Sequence, residues 1–255
     1  EKKLIFLSLR NNIIQMNNNE LKYIQSFAHK KHWDQESVFI VEGPKLVKEL
    51  LESDWTIEKI YASAEWLNAQ EPIGAPTEQV NEIILARISQ FKTANQVLAL
   101  VKKKVANAQL KFDNEFTLVL DGIQDPGNFG AIIRTADWFG IKQMMVSEDN
   151  AGLYNPKVIQ STMGSFLRVN VTQCNIEAVL SNNKLPVYGA VLSGAPLART
   201  KMQAPCFLVI GNESKGIRTN LQPFITHPVT IPSFGAAESL NAAVATGILL
   251  SSWRS

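Results

Sequence analysis

Five polar side chains stand in three short loops, and each loop directly follows an apolar segment with the composition of a buried strand. The loops come after residues 116–120, 206–210 and 228–231. In open parallel sheets, ligands bind beyond the carboxyl ends of the strands, so these loops are expected to form one site. Amides, a guanidinium, a carboxylate and a hydroxyl can together hold an anionic group and direct its hydrogen bonds. The five residues are Asn128, Arg134, Glu213, Ser239 and Asn241.

The first loop, DGIQDPGNFGAIIRTADWFG, combines turn residues with the start of a helix. We predict that the helix begins at Gly130, which places Arg134 in its first or second turn. A cation there opposes the helix dipole and favours an anionic partner, such as a phosphate at the helix N-terminus. The alternatives are a surface ion pair of Arg134 with Asp125 or Asp137, and a turn or capping role for Asn128.

The second loop is GNESKGI, residues 211–217. Gly211 and Gly216 permit a sharp turn and a close approach of the backbone to a ligand. Glu213 stands at the carboxyl end of the preceding strand, and its alternative reading is a carboxylate at a helix N-terminus. The glycine spacing suits a phosphate-binding P-loop, but Ile217 stands where that motif needs lysine.

The third loop opens IPSFGAAESLNAAVATGILL, residues 231–250, whose second half has helical spacing. Ser239 could simply cap this helix. Asn241 is predicted inside the first turn, where asparagine is a mediocre helix former. The small residues that follow predict very close packing against this helix. Its apolar stripe is Leu240, Ala243, Val244, Gly247 and Ile248.

Two α/β units are predicted along the chain. Residues 16–105 alternate amphipathic helices with short apolar strands, and residues 106–114 are polar, without periodicity, and predict a linker. Residues 115–255 contain near-continuous apolar strands between helices, which predicts a mostly parallel sheet covered by helices on both faces. Residues 1–15 match a signal peptide only superficially, and we expect an extraneous upstream segment, with a native N-terminal arm as the alternative.

Composition sets broad limits on the partners. The net charge of +2 is compatible with a nucleic-acid partner but does not by itself indicate one. No apolar run approaches the roughly 20 residues of a membrane span. Cys174 and Cys206 have no metal-type spacing, so we expect buried, reduced thiols and a cytoplasmic protein that holds no metal.

The segments NFGAIIRTA, LVIGNESKGI and IPSFGAAESLNAAVA resemble, in order and spacing, the three motifs of the SpoU (TrmH-like) RNA ribose 2′-O-methyltransferases of the SPOUT class. FIVEGPKLVKELL and VLALV are similar to the small, ribosomal-protein-like substrate-binding domain of that family. The resemblance covers nearly the whole chain from about Met16. It implies a C-terminal trefoil-knotted, mostly parallel sheet beside a smaller N-terminal α/β domain, and an obligate homodimer. True knots are rare exceptions among folds.

The resemblance also implies S-adenosylmethionine as cofactor, without a metal. The residues that it implies for cofactor binding are Val209, Ile210, Gly211, Ile231 and Leu240. Ser233 departs from the apolar residue often found there, and we expect only a small effect on packing. His29, His32 and His227 match no motif and are taken as non-catalytic.

The resemblance gives Arg134 the central catalytic role. Because a guanidinium stays protonated in proteins, we interpret Arg134 as binding the RNA 3′-phosphate or the developing alkoxide, while phosphate or water takes up the proton. Asn128 would orient Arg134 or the ribose, and Glu213 would fix Asn128 or Arg134. Ser239 and Asn241 would complete the hydrogen-bond frame.

RNA is the expected partner, bound by the N-terminal domain with the basic clusters HKKH (29–32) and KKK (102–104). Each cluster has a solvated surface as its alternative. Family analogy favours ribosomal RNA over transfer RNA. A tRNA methyltransferase and a non-catalytic RNA-binding module on the same fold stay open. A Rossmann-type enzyme would need Gly-x-Gly-x-x-Gly after its first strand, which DGIQDPGNFG does not supply.

Overall fold

The computed structural model describes residues 16–104, 110, 112 and 116–254. It divides into two compact units, Glu1–Lys104 and Val105–Ser255. The predicted upstream segment at residues 1–15 and most of the predicted linker at 106–114 lie outside the described residues. No helix in the described part of the chain is long and apolar enough to cross a membrane.

The first unit packs helices against a four-stranded mixed sheet of order β1-β4-β2-β3. β4 is antiparallel to β1 and β2, and β2 is parallel to β3. The elements are α1 Asn18–Ser26, α2 Lys30–Gln35, β1 Val38–Glu42, α3 Pro44–Leu51, β2 Ile57–Ala62, α4 Ala64–Asn68, β3 Thr77–Gln79, α5 Glu82–Ile88 and β4 Val97–Lys102.

The second unit contains a six-stranded sheet of order β10-β8-β9-β5-β6-β7 in which all neighbouring strands are parallel. Short 3₁₀ turns follow α7, β8 and β9 in the chain. The elements are β5 Phe116–Asp121, α6 Pro126–Trp138, β6 Gln143–Val146, α7 Pro156–Thr162, β7 Asn170–Gln173, α8 Ile176–Ser181, β8 Val187–Pro196, β9 Cys206–Gly211, β10 His227–Thr230 and α9 Ala242–Arg254.

Both faces of this sheet are covered, because its strands send apolar side chains alternately to two separate cores. On one face, Leu118 and Leu208 pack with buried residues of α6 and α9. On the other face, Val119 and Phe207 pack with buried residues of α8. The predicted parallel sheet with helices on both faces, beside a smaller N-terminal unit, is confirmed.

Helix α6 begins earlier than predicted. Asp125 accepts a hydrogen bond from the main-chain N–H of Asn128 at 2.7 Å, and Pro126 occupies the first turn. This is a capping arrangement, since proline at the first helical position loses no hydrogen bond. Residues 125–128 have the composition of a turn, but they cap and begin the helix, so the prediction that it starts at Gly130 is wrong.

Most of the predicted apolar stripe of α9 is exposed, although Ala243 packs against the core. Leu240, Val244 and Ile248 are exposed, while the buried residues of this helix are Ala242, Thr246, Leu249 and Leu250. Ala242 and Thr246 carry little hydrophobic signal, so the spacing of apolar residues does not mark the buried side that they share with Leu249 and Leu250. Helix α9 packs against α6, where the Cβ of an alanine at Gly247 would lie 4.0 Å from the Thr135 methyl carbon.

Candidate active site

Three of the predicted site residues are joined by direct hydrogen bonds. The amide nitrogen of Asn128 donates to Oε1 of Glu213 at 2.6 Å, and the amide oxygen of Asn128 accepts from the amide nitrogen of Asn241 at 2.9 Å. The partners are 85 and 113 residues apart in the chain. We call this set (Glu213, Asn128 and Asn241) the amide bridge. Because a carboxylate only accepts, Glu213 fixes which end of each amide donates.

Asn241 also starts helix α9. Its amide oxygen accepts from the main-chain N–H groups of Ala243 at 2.9 Å and Val244 at 3.3 Å. These are donors that a helix N-terminus leaves without partners. Asn241 therefore precedes the first turn rather than lying within it. Asn241, and not Ser239, caps the helix. One side chain links the helix start to the other two loops.

Arg134 lies apart from the amide bridge. It is exposed in the third turn of α6, beyond the first turn to which helix-dipole effects are confined, so the predicted placement near the N-terminus is wrong. Asp137 pairs with Arg168 at 2.8 Å. Arg134 forms no ion pair or hydrogen bond with any residue that the structure describes, so Glu213 fixes Asn128 rather than Arg134.

A cavity of about 870 Å³ opens at the carboxyl ends of β8, β9 and β10. Glu213 and Ser239 line it, and Ser239 is exposed. Four of the residues implied for cofactor binding also line it. They are Ile210, Gly211, Ile231 and Leu240. Val209 is not part of this lining, because alternation along β9 buries its side chain in the core on the opposite face of the sheet.

A tight turn presents Glu213 to the cavity. Asn212 and Gly216 exchange two main-chain hydrogen bonds of 3.1 and 2.8 Å, and Gly216 has a φ of +67°. A Cβ at Gly211 would lie 2.2 Å from the main-chain carbon of Gly216. Gly211 is therefore required by the turn itself. The amide of Asn212 donates to the main-chain oxygen of Gly122 at 2.8 Å, which ties the turn to the loop after β5.

The sequence did not predict a second polar pair, formed by Asp121 at the end of β5 and Arg218 after the turn that carries Glu213. The fully buried carboxylate of Asp121 accepts from the main-chain N–H of Arg218 at 2.8 Å and forms an ion pair with its guanidinium. Arg218 also lies 3.5 Å from Asp149. Burial lowers the pKa of Arg218, but the two carboxylates outweigh it and the pKa is raised. The available signal was an acid, Asp121, directly after the strand segment FTLVL, of whose five residues four are apolar.

The two basic clusters of the first unit differ in whether their lysines have partners within the described chain. Lys103 donates to the main-chain oxygens of Trp33 at 2.7 Å and Asp34 at 3.1 Å, and burial lowers the pKa of Lys103. Lys104 pairs with Asp54 at 2.8 Å. Two of the three lysines at 102–104 therefore have partners within the chain. In the cluster at 29–32, both lysines are exposed, and neither pairs with a described residue.

The remaining chemistry-bearing groups are separate from the site. Cys174 and Cys206 are both free, with Cys206 buried, and burial raises its pKa to about 12. A buried thiol of that kind is a poor nucleophile. Among the described residues no group of three or more histidine, cysteine or acidic side chains could hold a metal ion.

The fold and site together define a doubly covered parallel α/β protein with a ligand cavity at the carboxyl ends of its strands. The profile of the SpoU rRNA Methylase family matches residues 115–251, and that of the MRM3-like substrate binding domain matches residues 18–99. The chain belongs to the SpoU rRNA methylase family.

Characterised relatives cover most of the chain. It is 29% identical over 241 residues to the 23S rRNA (guanosine(2553)-2′-O)-methyltransferase RlmP of Bacillus subtilis, covering 91% of this chain and 95% of the relative. It is 30% identical over 226 residues to the 23S rRNA (guanosine-2′-O-)-methyltransferase RlmB of Yersinia pestis, covering 84% and 86%.

Solved structures agree with the fold. A TrmH-family protein from Porphyromonas gingivalis superposes with a TM-score of 0.83 at 36% identity, covering 94% of this chain and 100% of that one. An AdoMet-bound rRNA methyltransferase from Sinorhizobium meliloti gives the same TM-score at 28% identity, with 94% and 95% covered.

Proposed function

We propose that this chain is an S-adenosylmethionine-dependent RNA ribose 2′-O-methyltransferase that acts on ribosomal RNA. The single observation that carries the proposal is the amide bridge at the edge of the cavity. It joins all three sequence motifs of the family through hydrogen bonds of 2.6 and 2.9 Å. The activities named for RlmP and RlmB, and the AdoMet-bound relative, support the same reaction.

The cavity suits the cofactor. Its volume of about 870 Å³ lies within the range of small-molecule sites. Ile210, Ile231 and Leu240 supply apolar surface for an adenine ring. Main-chain N–H groups of residues 233–240 donate to no acceptor in the described chain, so they are available to a ligand. When bound, S-adenosylmethionine supplies an electrophilic methyl group on a sulfonium.

The residues of the chain would position the attacking ribose. The amide bridge holds the start of α9 and the turn at Glu213 in a fixed relation, and Ser239 offers a hydroxyl into the cavity. Fixed geometry matters because the reacting atoms of a displacement must be held about 3–3.5 Å apart and aligned. We assign Asn128, Glu213 and Asn241 to this positioning and Ser239 to contact with the ribose.

Arg134 is assigned to the substrate. A guanidinium without a partner in the described chain is available for an RNA phosphate or a developing alkoxide, which it binds through paired N–H donors. It cannot take up the hydroxyl proton, because it stays charged in proteins. The proton is therefore assigned to the RNA phosphate or to water.

The assembly is proposed to be a homodimer formed through α6 and α9. Trp138 on α6 is 85% exposed, and Val244 and Ile248 on the neighbouring α9 are 52% and 38% exposed. Exposed apolar groups on two packed helices suit contact with a second copy. Arg134 lies four residues before Trp138 on the same side of α6, so the proposed interface would adjoin it. We also propose that the second unit forms a trefoil knot and that the protein is cytoplasmic.

The decisive test combines RNA mapping with two variants. Sites of 2′-O-methylation in total RNA are compared between a deletion strain and strains complemented with wild type, Arg134→Ala or Arg134→Lys. We expect one ribosomal site to depend on the wild-type protein, and both variants to lose it. Calorimetry should show nearly unchanged S-adenosylmethionine binding in both variants. Substantial methylation by Arg134→Ala would contradict the role of Arg134, and a transfer RNA site would favour the alternative substrate.

A further inference from the structure

A second cleft, of about 430 Å³, lies beside the cavity, at the edge of the sheet formed by β10. Tyr188 and Ala195 of β8 line it together with residues of β10 and the segment that follows β8. Among the described residues that line it, three are basic, Arg199, Lys201 and His227, and none is acidic. Arg199 and Lys201 are exposed, and neither side chain forms an ion pair or hydrogen bond with any described residue.

The other polar groups of the cleft already have partners. The Thr226 hydroxyl bonds to the main chain of Val187 at 2.9 and 3.2 Å, and the Thr200 hydroxyl donates to the Pro196 oxygen at 3.1 Å. The Tyr188 hydroxyl donates to the main-chain oxygen of Lys201 at 3.3 Å. Arg199 and Lys201 are therefore the charged donors left for a ligand, and a guanidinium and an ammonium together suit phosphate oxygens.

The cleft adjoins the cavity along the edge of the sheet. Val229 of the edge strand β10 lines both. From His227 in the cleft to Ile231 in the cavity the chain advances four residues, or about 13 Å at the roughly 3.3 Å rise of a strand. A stacked nucleic-acid strand carries one phosphate per roughly 3.4 Å, so the separation corresponds to about four nucleotides.

The surrounding sequence has the charge expected for a nucleic-acid contact. Between residues 185 and 230 there are four lysines and arginines and one acid, Glu213, which belongs to the cavity. We infer that the cleft binds backbone phosphates of the substrate RNA a few nucleotides from the methylated ribose. This inference rests on the proposed function, and it adds an RNA contact on the catalytic unit to the one expected on the N-terminal unit.

The test measures binding of fluorescein-labelled oligouridylates of 4 and 12 nucleotides to the full chain by anisotropy, from 50 to 200 mM KCl. The variant is Arg199→Ala/Lys201→Ala. The matched control is Lys142→Ala/Lys184→Ala, which removes the same charge from exposed positions before β6 and β8. All four side chains are exposed, so folding should be retained.

For the 12-nucleotide RNA, loss of two phosphate contacts should lower the slope of log affinity against log salt by about 1.4, which is roughly a 10- to 30-fold loss of affinity at 0.1 M salt. The control should keep the wild-type slope. The affinity for the 4-nucleotide RNA should change little in Arg199→Ala/Lys201→Ala. Equal weakening by both double variants, or a wild-type slope in Arg199→Ala/Lys201→Ala, would overturn the inference. Neither readout needs turnover, so absent methyl transfer would refute only the proposed function.

Discussion

At the scale of single residues, the amide bridge has one permitted direction. Glu213 accepts, Asn128 donates to it and accepts from Asn241, and the oxygen of Asn241 is left for the N–H groups of α9. Each replacement of an amide by an acid therefore changes one identifiable bond. This makes the bridge testable with substitutions that keep size and shape.

Asn241→Asp separates capping from bridging. A carboxylate still accepts from Ala243 and Val244, so the melting temperature should stay near that of wild type. It offers no donor to Asn128, so methyl transfer should fall by on the order of 100-fold, as misplacement by about 1 Å can cause. Asn241→Ala should lose activity and also about 1 kcal/mol of stability. Methylation rates with thermal unfolding distinguish these outcomes, and full activity of Asn241→Asp would show that the bridge is dispensable.

Asn128→Asp should create a pH-dependent enzyme. Its carboxylate would face that of Glu213 where the amide now donates at 2.6 Å. Opposed like charges raise the pKa of the pair, and a shared proton restores the hydrogen bond below that pKa. Activity relative to wild type should therefore rise as pH falls from 8 towards about 5. Asn128→Ala, which has no titrating group, should show no such recovery in the same assay.

Asp121→Asn tests the support under the site. Its carboxylate is fully buried, but Arg218 is partly exposed, so removing the charge should cost about 1–3 kcal/mol rather than the larger penalty of a fully buried pair. Chemical denaturation measures this cost. Since Asp121 pairs with Gly211 at the base of the turn that carries Glu213, methyl transfer should decline too. Arg218→Lys keeps the positive charge but loses the paired donors of the guanidinium. This variant should retain more of the wild-type stability than of the wild-type activity.

At the scale of helices and strands, the sequence predicted the elements whose residues are strongly apolar. Apolar runs in the sequence predict eight of the ten strands but not β3 and β7, because TEQ and NVTQ are polar strands at sheet edges. Helical spacing over residues 19–31 predicts a single helix. In the structure α1 ends at Ser26 and α2 begins at Lys30. Edge strands bury little apolar surface, so hydrophobic periodicity does not reveal them.

The sequence also predicts part of the candidate site. Its loops were found because each follows an apolar strand, and hydrogen bonds join three of the five proposed catalytic residues. The pairing of Asp121 with Arg218 was not found, since 97 residues separate them. No local pattern tells which buried acid meets which cation.

Gly130→Ala should destabilise the contact between α6 and α7. Its Cβ would lie 2.4 Å from Cβ of Ser161 and 2.7 Å from the main-chain oxygen of Val158. Overpacking of this kind costs about 1–3 kcal/mol, which calorimetry should record as a lower melting temperature. Gly247→Ala is the control in another helix of the same unit, because its Cβ has 4.0 Å of space. An unchanged melting temperature for Gly130→Ala would show that the two helices can separate cheaply.

At the scale of the whole molecule, a charge placed on the proposed dimer face should separate the subunits. Ile248→Glu alters an exposed residue, so each chain should stay folded while light scattering reports a halved mass. Ile83→Glu is the control, because Ile83 is also exposed but belongs to the first unit. A wild type that is monomeric at micromolar concentration would contradict the homodimer.

The borders of the six-stranded sheet bear on how copies of this chain associate. The outermost strands, β7 and β10, have four residues each, and Pro228 removes one N–H from β10. Short borders interrupted by proline are poor templates for strand addition between molecules. Concentrated solutions should therefore resist fibrous or amorphous β-aggregation, and contact between copies is directed to the helices.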